Sequence, residues 1–446
     1  MLLPTLLLLL PLAAASNVFV HYMVQTLNAE NAVTDVNKAR AMGIDAFVLN
    51  IGWPTGAPWS DQCIERLFAA AAGTNFKFIF SLDVFQRSDP NQFRAIVDQY
   101  ISHDNYFRAG PNNLPMLSTF GNAPGWGPEQ WNTFRASLAS ETYFLPVFDS
   151  EGASEDYYTN PDQFWAQWAP ALDGVFSWEQ SWPGTSDTHQ NISSGLDFAV
   201  LAAARTRGKA YMAGLSTLQY KHLGGQHWYR SGDVVMPERM TQLLALPAAQ
   251  RPEFVQIQTW NDAGESHYIG PLHDEGLPAE ITAYANQPEH PHDGWAPVFQ
   301  SFAAAWKSGA ASAAEMRAPS GSTGPVAGAM WHREFLATSA CAGTDGKPRG
   351  AGAAVDSVNW AVVLNRDAAG EFYVQVTSGG EVIARDRLLP GLNYKAVGGV
   401  RLGEQVVEVV DGAGNKVIGG GKSTKGISAD PTGSVCTYNV QVAQLV

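Results

Sequence analysis

Residues 254–262, Phe254-Val255-Gln256-Ile257-Gln258-Thr259-Trp260-Asn261-Asp262, form a short β-rich run that passes directly into polar residues and a carboxylate. A run of this length and composition is what a strand buried in a parallel sheet looks like. Working back toward the N-terminus, seven earlier runs have the same character: VFVHYMV from Val18, DAFVLNIG from Asp45, KFIFSLDVF from Lys77, PMLSTFG from Pro115, YFLPVFDSE from Tyr143, DGVFSWEQSW from Asp173 and KAYMAGLS from Lys209. Helical stretches with apolar positions three and four apart lie between them, such as NAVTDVNKARAMG after the first run and NQFRAIVDQYISH after the third.

Eight such strand–helix units predict an α/β fold, a (β/α)8 TIM barrel. An open doubly wound sheet often carries a glycine-rich phosphate turn after its first strand, and none is present here. Polar residues gather where the runs end: His21, Asn50, Asp83, Asp149, Glu151, Glu179, Asp262 and Glu265. Barrel strands deliver those ends to one rim, where barrel enzymes place their chemistry.

Downstream, a last helical stretch, APVFQSFAAAWKSG from Ala296, gives way to the Pro/Gly/Ser segment APSGSTGPVAGA. Short alternating strands follow: VNWAVVLNRD, EFYVQVTSG, GEVIARDRLL, EQVVEVVDGAGN and TYNVQVAQL, broken by Gly and Asp turns. The expected division is a barrel over 16–317, a linker or edge loop over 318–329 and a C-terminal β-sandwich over 330–446. Residues 1–15, MLLPTLLLLLPLAAA, read as a signal peptide with small residues before Ser16. No other segment approaches a membrane span.

The chain has 446 residues, 45% of them hydrophobic and 16% charged, a composition that suits a thick core rather than disorder. Its net charge of −14 argues against nucleic acid and anionic membranes as partners. The 14 Trp, 14 Tyr and 21 Phe suit a sugar-binding protein, since aromatic faces stack on the apolar faces of sugar rings as well as filling cores. Among three cysteines, Cys341 and Cys436 share the C-terminal region and can form a disulfide after export, which leaves Cys63 as a buried apolar residue of a helix. Asn191-Ile192-Ser193 is a glycosylation sequon. The chain is expected to be secreted, to the extracellular space or cell wall, and to work as a monomer.

The densest polar constellation is Thr259-Trp260-Asn261-Asp262-Ala263-Gly264-Glu265-Ser266-His267-Tyr268. Cleaving an acetal needs one acid to protonate the departing oxygen and one carboxylate to stabilise or supply the attacking group. Asp262 and Glu265 supply both types, while Asp83, Asp149, Glu151 and Glu179 stay open as the second group or as ligands of substrate hydroxyls. Glu265 is assigned as general acid with a raised pKa and Asp262 as the group that activates water, with the reverse left open. His21, Tyr22, Asn50, Asp83, Asp149, Trp178, Glu179, Trp260, Asn261 and His267 are the candidate substrate contacts. His227-Trp228-Tyr229-Arg230 reads either as a sugar-stacking loop or as packing at a helix entry. No metal and no cofactor is expected: His290, His292 and Asp293 fall in a Pro-broken loop. GGGKSTKG from Gly419 lacks phosphate-loop spacing and reads as a hairpin loop.

His21-Tyr22-Met23, Gly43-Ile44-Asp45-Ala46-Phe47 with Asn50-Ile51-Gly52, and above all Trp260-Asn261-Asp262 through Gly264-Glu265-Ser266-His267-Tyr268-Ile269-Gly270-Pro271 resemble glycoside hydrolase family 71, the fungal α-1,3-glucanases or mutanases. The resemblance implies endo-hydrolysis of α-1,3-glucan with inversion, on a barrel with a C-terminal β-sandwich, with Asp262 and Glu265 catalytic. Ala263 stands where an aromatic is common, and GLSTLQYKHLGG from Gly214 departs from the family's aromatic-richer form. Two other readings remain: a non-catalytic glucan-binding wall protein and a hydrolase of another α-linked polysaccharide.

Overall fold

The computed structural model describes residues 16–149, 156–322, 324–341, 346–414, 417–431 and 435–446. The expected signal peptide and Glu151 lie outside the described residues. The first eleven strands are β1 Asn17–Met23, β2 Ala46–Ile51, β3 Lys77–Asp83, β4 Arg108–Ala109, β5 Leu114–Phe120, β6 Tyr143–Phe144, β7 Gly174–Ser177, β8 Ala210–Ser216, β9 Gln219–Leu223, β10 Gln226–Arg230 and β11 Phe254–Gln258. All eight runs expected from sequence are among them. They pair in parallel in the order β5-β3-β2-β1-β11-β8-β7, with β6 beside β5. Just past β6, Val147 bridges Phe120 on one side and Phe176 on the other, both in parallel.

Period-two alternation sorts the side chains of this curled sheet into two cores. Phe19, Ala46, Val48, Ile79, Met116, Phe176, Met212 and Phe254 form one buried cluster on the inner face. Val18, Val20, Tyr22, Phe47, Leu49, Phe78 and Phe80 pack outward with helix residues such as Ile64, Leu67 and Phe302. Helix Ala29–Ala41 follows β1 and is capped by Asn28, whose side chain accepts the Asn31 N–H at 2.8 Å. Continuing the inner parity to the strand ends brings His21, Asn50, Asp83 and Phe120 to one rim.

Two antiparallel strands sit at that rim: β9 and β10 form a hairpin through Gly224-Gly225, whose φ values of 62° and 75° fit the tight two-residue turn. This settles His227–Arg230 as hairpin strand; it is neither a free loop nor a helix entry.

Beyond helix Ala296–Lys307 come β12 Val326–Arg333, β13 Val358–Leu364, β14 Phe372–Ser378, β15 Glu381–Arg387, β16 Gly391–Val397, β17 Gln405–Asp411, β18 Val417–Lys422 and β19 Val440–Leu445. They make two four-stranded antiparallel sheets, β16-β13-β12-β19 and β15-β14-β17-β18. Val326, Met330, Val358, Trp360 and Val362 of the first pack with Phe372, Val374, Val376, Val407 and Val409 of the second. Two expectations are corrected here. Strand β12 opens at Val326, inside the segment 318–329 read as a linker or edge loop, because Val326 already belongs to that apolar cluster. Gly419–Lys422 is strand and not a hairpin loop: a Cβ on Gly421 would stand 2.7 Å from the Gln444 carbonyl, so the glycine admits the neighbouring strand.

The other face of β12 joins the larger core. Ala329 and Trp331 pack there, and Trp331 Nε1 donates to the Asp233 carbonyl at 2.7 Å. Cys341 and Cys436 are bonded, and Cys63 is buried in helix Pro58–Ala71, where burial pushes its thiol up to about 12. No helix among the described residues is long and apolar enough to cross a membrane.

Candidate active site

The chain leaves β11 into a loop whose backbone is fastened at both ends. The Thr259 N–H donates to the His267 carbonyl at 2.7 Å, and the Ile269 N–H returns to the Thr259 carbonyl at 3.0 Å. Trp260 N–H donates to the His21 carbonyl at 2.7 Å, and the Asn261 side chain pairs with both backbone groups of Met23, at 2.8 and 3.0 Å. Gly270 is required here, because a Cβ would lie 2.3 Å from the Trp260 ring. Within the loop, Asp262 N–H donates to Thr259 Oγ1 at 2.9 Å and Glu265 N–H donates to Asp262 Oδ1 at 3.0 Å. The spacing of three residues thus becomes a turn that holds both acids on one side.

His267 lies fully buried beneath them, its Nε2 3.5 Å from Asp262 Oδ2 and 3.4 Å from Glu265 Oε2. Burial works against a charged imidazole, but the two carboxylates beside it prevail and push its pKa up to about 9. Glu265 also accepts a hydrogen bond from Gln219 Nε2 and a charged one from Lys221 Nζ, the latter at 2.9 Å. Burial would raise the Glu265 carboxyl, yet His267 and Lys221 outweigh it and hold the group well below the usual carboxylate range. The expectation of a raised pKa at Glu265 is therefore corrected: two cations face it.

One ligand atom each from Asp262, Glu265 and His267 lies within 4.8 Å of the others, a spacing that a metal ion could use. Positive charge is already present there, from the Lys221 ammonium 2.9 Å from Glu265 and from the protonated ring of His267.

These groups border an open cleft of about 210 Å³ lined by His21, Asn50, Asp83, Phe85, Trp178 and Lys221 as well as Asp262 and Glu265. His21 sits edge-on to Trp178, ring centroids 4.8 Å apart, with Gln256 Nε2 3.1 Å from its Nδ1. Burial, then the charge on His267, takes the His21 pKa down to about 3, so this ring is neutral. Asn50 Nδ2 donates to Asp83 Oδ2 at 2.9 Å, and burial raises the Asp83 pKa.

Other expected contacts fall elsewhere. Tyr22 points outward by strand alternation, packs on Phe47, and donates its hydroxyl to Asp35 at 2.8 Å, so it is a core residue and not a sugar contact. Trp260 is likewise buried on the outer side, 5.2 Å from the Phe47 ring centroid. Asn261 spends its amide on Met23. Asp149 and Glu179 are not among the described cleft-lining residues. Asp149 accepts from the Tyr158 hydroxyl and from the Glu179 N–H, and burial, followed by the charge of Glu179, raises its pKa to about 8. Glu179 pairs with Arg230 at 2.7 Å.

Sequence reasoning missed Lys221 and Gln219. The available signal was the Gly224-Gly225 hairpin turn, which folds the segment after β8 back over the rim.

Two close acids on one loop, at the C-terminal edge of a parallel sheet and open to a cleft, define a carboxylate-pair hydrolase of the glycosidase class. Residues 14–446 match the model of glycosyl hydrolase family 71, and the chain belongs to that family. It is similar to a mutanase of Penicillium rubens, 28% identical over 357 residues that cover 78% of this chain and 72% of that protein. It is also similar to a glucan endo-1,3-alpha-glucosidase of Schizosaccharomyces pombe, 28% identical over 62% of this chain and 61% of that protein. An ascus wall endo-1,3-alpha-glucanase of the same yeast is 27% identical over 53% of each.

Proposed function

We propose that this chain is a secreted endo-hydrolase of α-1,3-glucosidic bonds in glucan, acting by acid/base catalysis through Asp262 and Glu265 with inversion. The observation that carries the reading is that both acids rise from one loop into one cleft over a shared charged histidine. The family and the names of its three relatives support the substrate. The N-terminal apolar segment and the disulfide support export.

The architecture is read as a closed (β/α)8 barrel over 16–317 followed by a β-sandwich that begins near Val326. Closure is supported by the bridges of Val147 to β5 and β7, and the sandwich by the shared apolar layer of the two sheets. His21, Asn50, Asp83, Trp178 and the hairpin residue Lys221 would meet the sugar around the scissile bond.

Glu265 lies close to Asp262, and His267 and Lys221 hold its carboxyl well below the usual carboxylate range. Direct displacement by water needs the two carboxyl groups roughly 6.5–9.5 Å apart. Inversion with Glu265 as the acid therefore requires the carboxyl groups to stand farther apart, and Glu265 to hold a proton, when the glucan is bound. Asp262 then takes the proton of the attacking water.

Incubation with insoluble α-1,3-glucan should release reducing ends, with the anomer of the first product inverted. Asp262→Asn and Glu265→Gln should each lose about 10²–10⁴ in rate, the span of general acid–base catalysis. Binding without release by the folded wild type would favour the wall-binding reading, and cleavage of α-1,4-glucan instead would reassign the substrate.

A further inference from the structure

Asp83, joined to Asn50 at the strand ends, also anchors the loop that leaves β3. Asp83 Oδ1 accepts the Gln86 N–H at 3.0 Å, and the Asp83 carbonyl accepts the Arg87 N–H at 3.0 Å, which fixes a tight turn around Phe85. Gln86 abuts the loop that leaves β2, where a Cβ on Gly52 would stand 3.6 Å from Gln86 Cγ. The two loops carry Trp53 and Phe85, exposed at 45% and 60%. Among the described residues the third large aromatic exposed to this degree, Phe198, lies on helix Gly195–Arg205.

Holding two aromatic side chains in water forgoes burial that each would otherwise gain, about 25 cal/mol per Å². These two are also pre-arranged. The Arg87 guanidinium carbon lies 3.7 Å from the centroid of the Trp53 ring, a cation–π stack that fixes the indole in place. Phe85 lines the cleft with Asp262 and Glu265, and Trp53 stands on the adjoining loop against Arg87.

We propose that Trp53, braced by Arg87, and Phe85 form a stacking subsite for a glucosyl unit of the polymer beyond the two that flank the scissile bond. The inference rests on the reading of the cleft as a glucan site and deepens it. A flat indole and a phenyl ring offer the apolar area that suits the C–H face of a neutral pyranose, and the guanidinium behind the indole keeps it from collapsing onto the protein. An endo-acting enzyme draws on such remote contacts to hold a long chain while the bond is broken.

The test is kinetics of Trp53→Ala, Phe85→Ala and Trp53→Phe on soluble α-1,3-gluco-oligosaccharides of increasing length, with melting temperature as a fold control. Trp53→Ala and Phe85→Ala should raise KM about tenfold on the longest chains, as expected for the loss of one stacked aromatic, with a penalty that shrinks as the chain shortens and with kcat largely kept. Trp53→Phe should recover part of the loss. A penalty equal at every length, or none, overturns the subsite. Should the wild type cleave no α-1,3-glucan, the functional reading fails by itself. Calorimetric titration of the same oligosaccharides then decides the subsite: weaker binding to Trp53→Ala than to wild type supports it, and equal or absent binding overturns it.

Discussion

Replacing Lys221 with methionine keeps most of the stem that reaches into the cleft and removes one charge from beside Glu265. The ammonium is 2.9 Å from Glu265 Oε1, and the two side chains are only 20% and 18% exposed. Unit charges about 4 Å apart interact by about 4 kcal/mol at an effective dielectric near 20. Halving that for water at the cleft mouth and for the donors that remain leaves about 2 kcal/mol, or roughly 1.5 pKa units. The sign is upward, because burial opposes ionisation of Glu265 and one of the two cations that overcome it has gone. His267 still faces the carboxylate from below, Asp262 lies beside it, and His21 nearby stays neutral. The assay is kcat/KM against pH on a soluble α-1,3-gluco-oligosaccharide, for wild type and Lys221→Met, with Glu265→Gln marking the limb that Glu265 controls. A shift of the alkaline limb to higher pH identifies Glu265 as the acid, and a shift of the acidic limb identifies it as the base. A folded variant with both limbs in place would refute the electrostatic account of this carboxylate.

Two further outcomes concern stability. Asp149 is held in the folded chain with a pKa of about 8, above its unfolded value, so the stability it contributes is present at low pH and is lost as pH rises through about 8. His267, at about 9, adds a loss of the same sign between its unfolded value and that pH. The melting temperature of wild type should therefore fall from about pH 6 to about pH 9, and Asp149→Asn, which removes one of the two groups, should flatten the decline. Identical slopes in calorimetry would count against the buried, protonated Asp149. The Cys341–Cys436 bond closes a loop of 95 residues, so Cys436→Ser should cost about 4.7 kcal/mol by loop entropy. Reductant should lower the melting temperature of wild type and leave that of the variant unmoved; equal responses would contradict this.

The strand ladder was legible because each run is short, apolar and followed by a helix period, and all eight runs became parallel strands. Asp262 and Glu265 drew attention because they follow the end of the eighth run within the family-like segment Trp260–Pro271, and both line one cleft. Tyr22 was misplaced because adjacent residues on a strand face opposite sides, and knowing which parity faces inward requires the neighbouring strands. Trp260 lies beyond the end of β11, where the alternation of the strand no longer sets which side a residue faces. Lys221 escaped because its role depends on a hairpin folding 44 residues back onto Glu265, a contact no local pattern encodes. The ionised state of Glu265 was unreadable for the same cause, since it is set by groups brought together only by the fold.

The loop that carries Asp262 and Glu265 is supported from behind by residues of the C-terminal region. Asn439 donates to the Tyr284 carbonyl at 2.9 Å and contacts the Tyr268 hydroxyl at 3.3 Å, while the Tyr284 hydroxyl donates to the Gly264 carbonyl between the two acids. Tyr268 and Asn439 are 171 residues apart. A ribosome that has just made Tyr268 must run for roughly 10–30 s at about 5–20 residues per second before the supporting residue exists. Until then the loop that carries Asp262 and Glu265 has its ties to Met23 and His21 but lacks the support that Asn439 gives from behind.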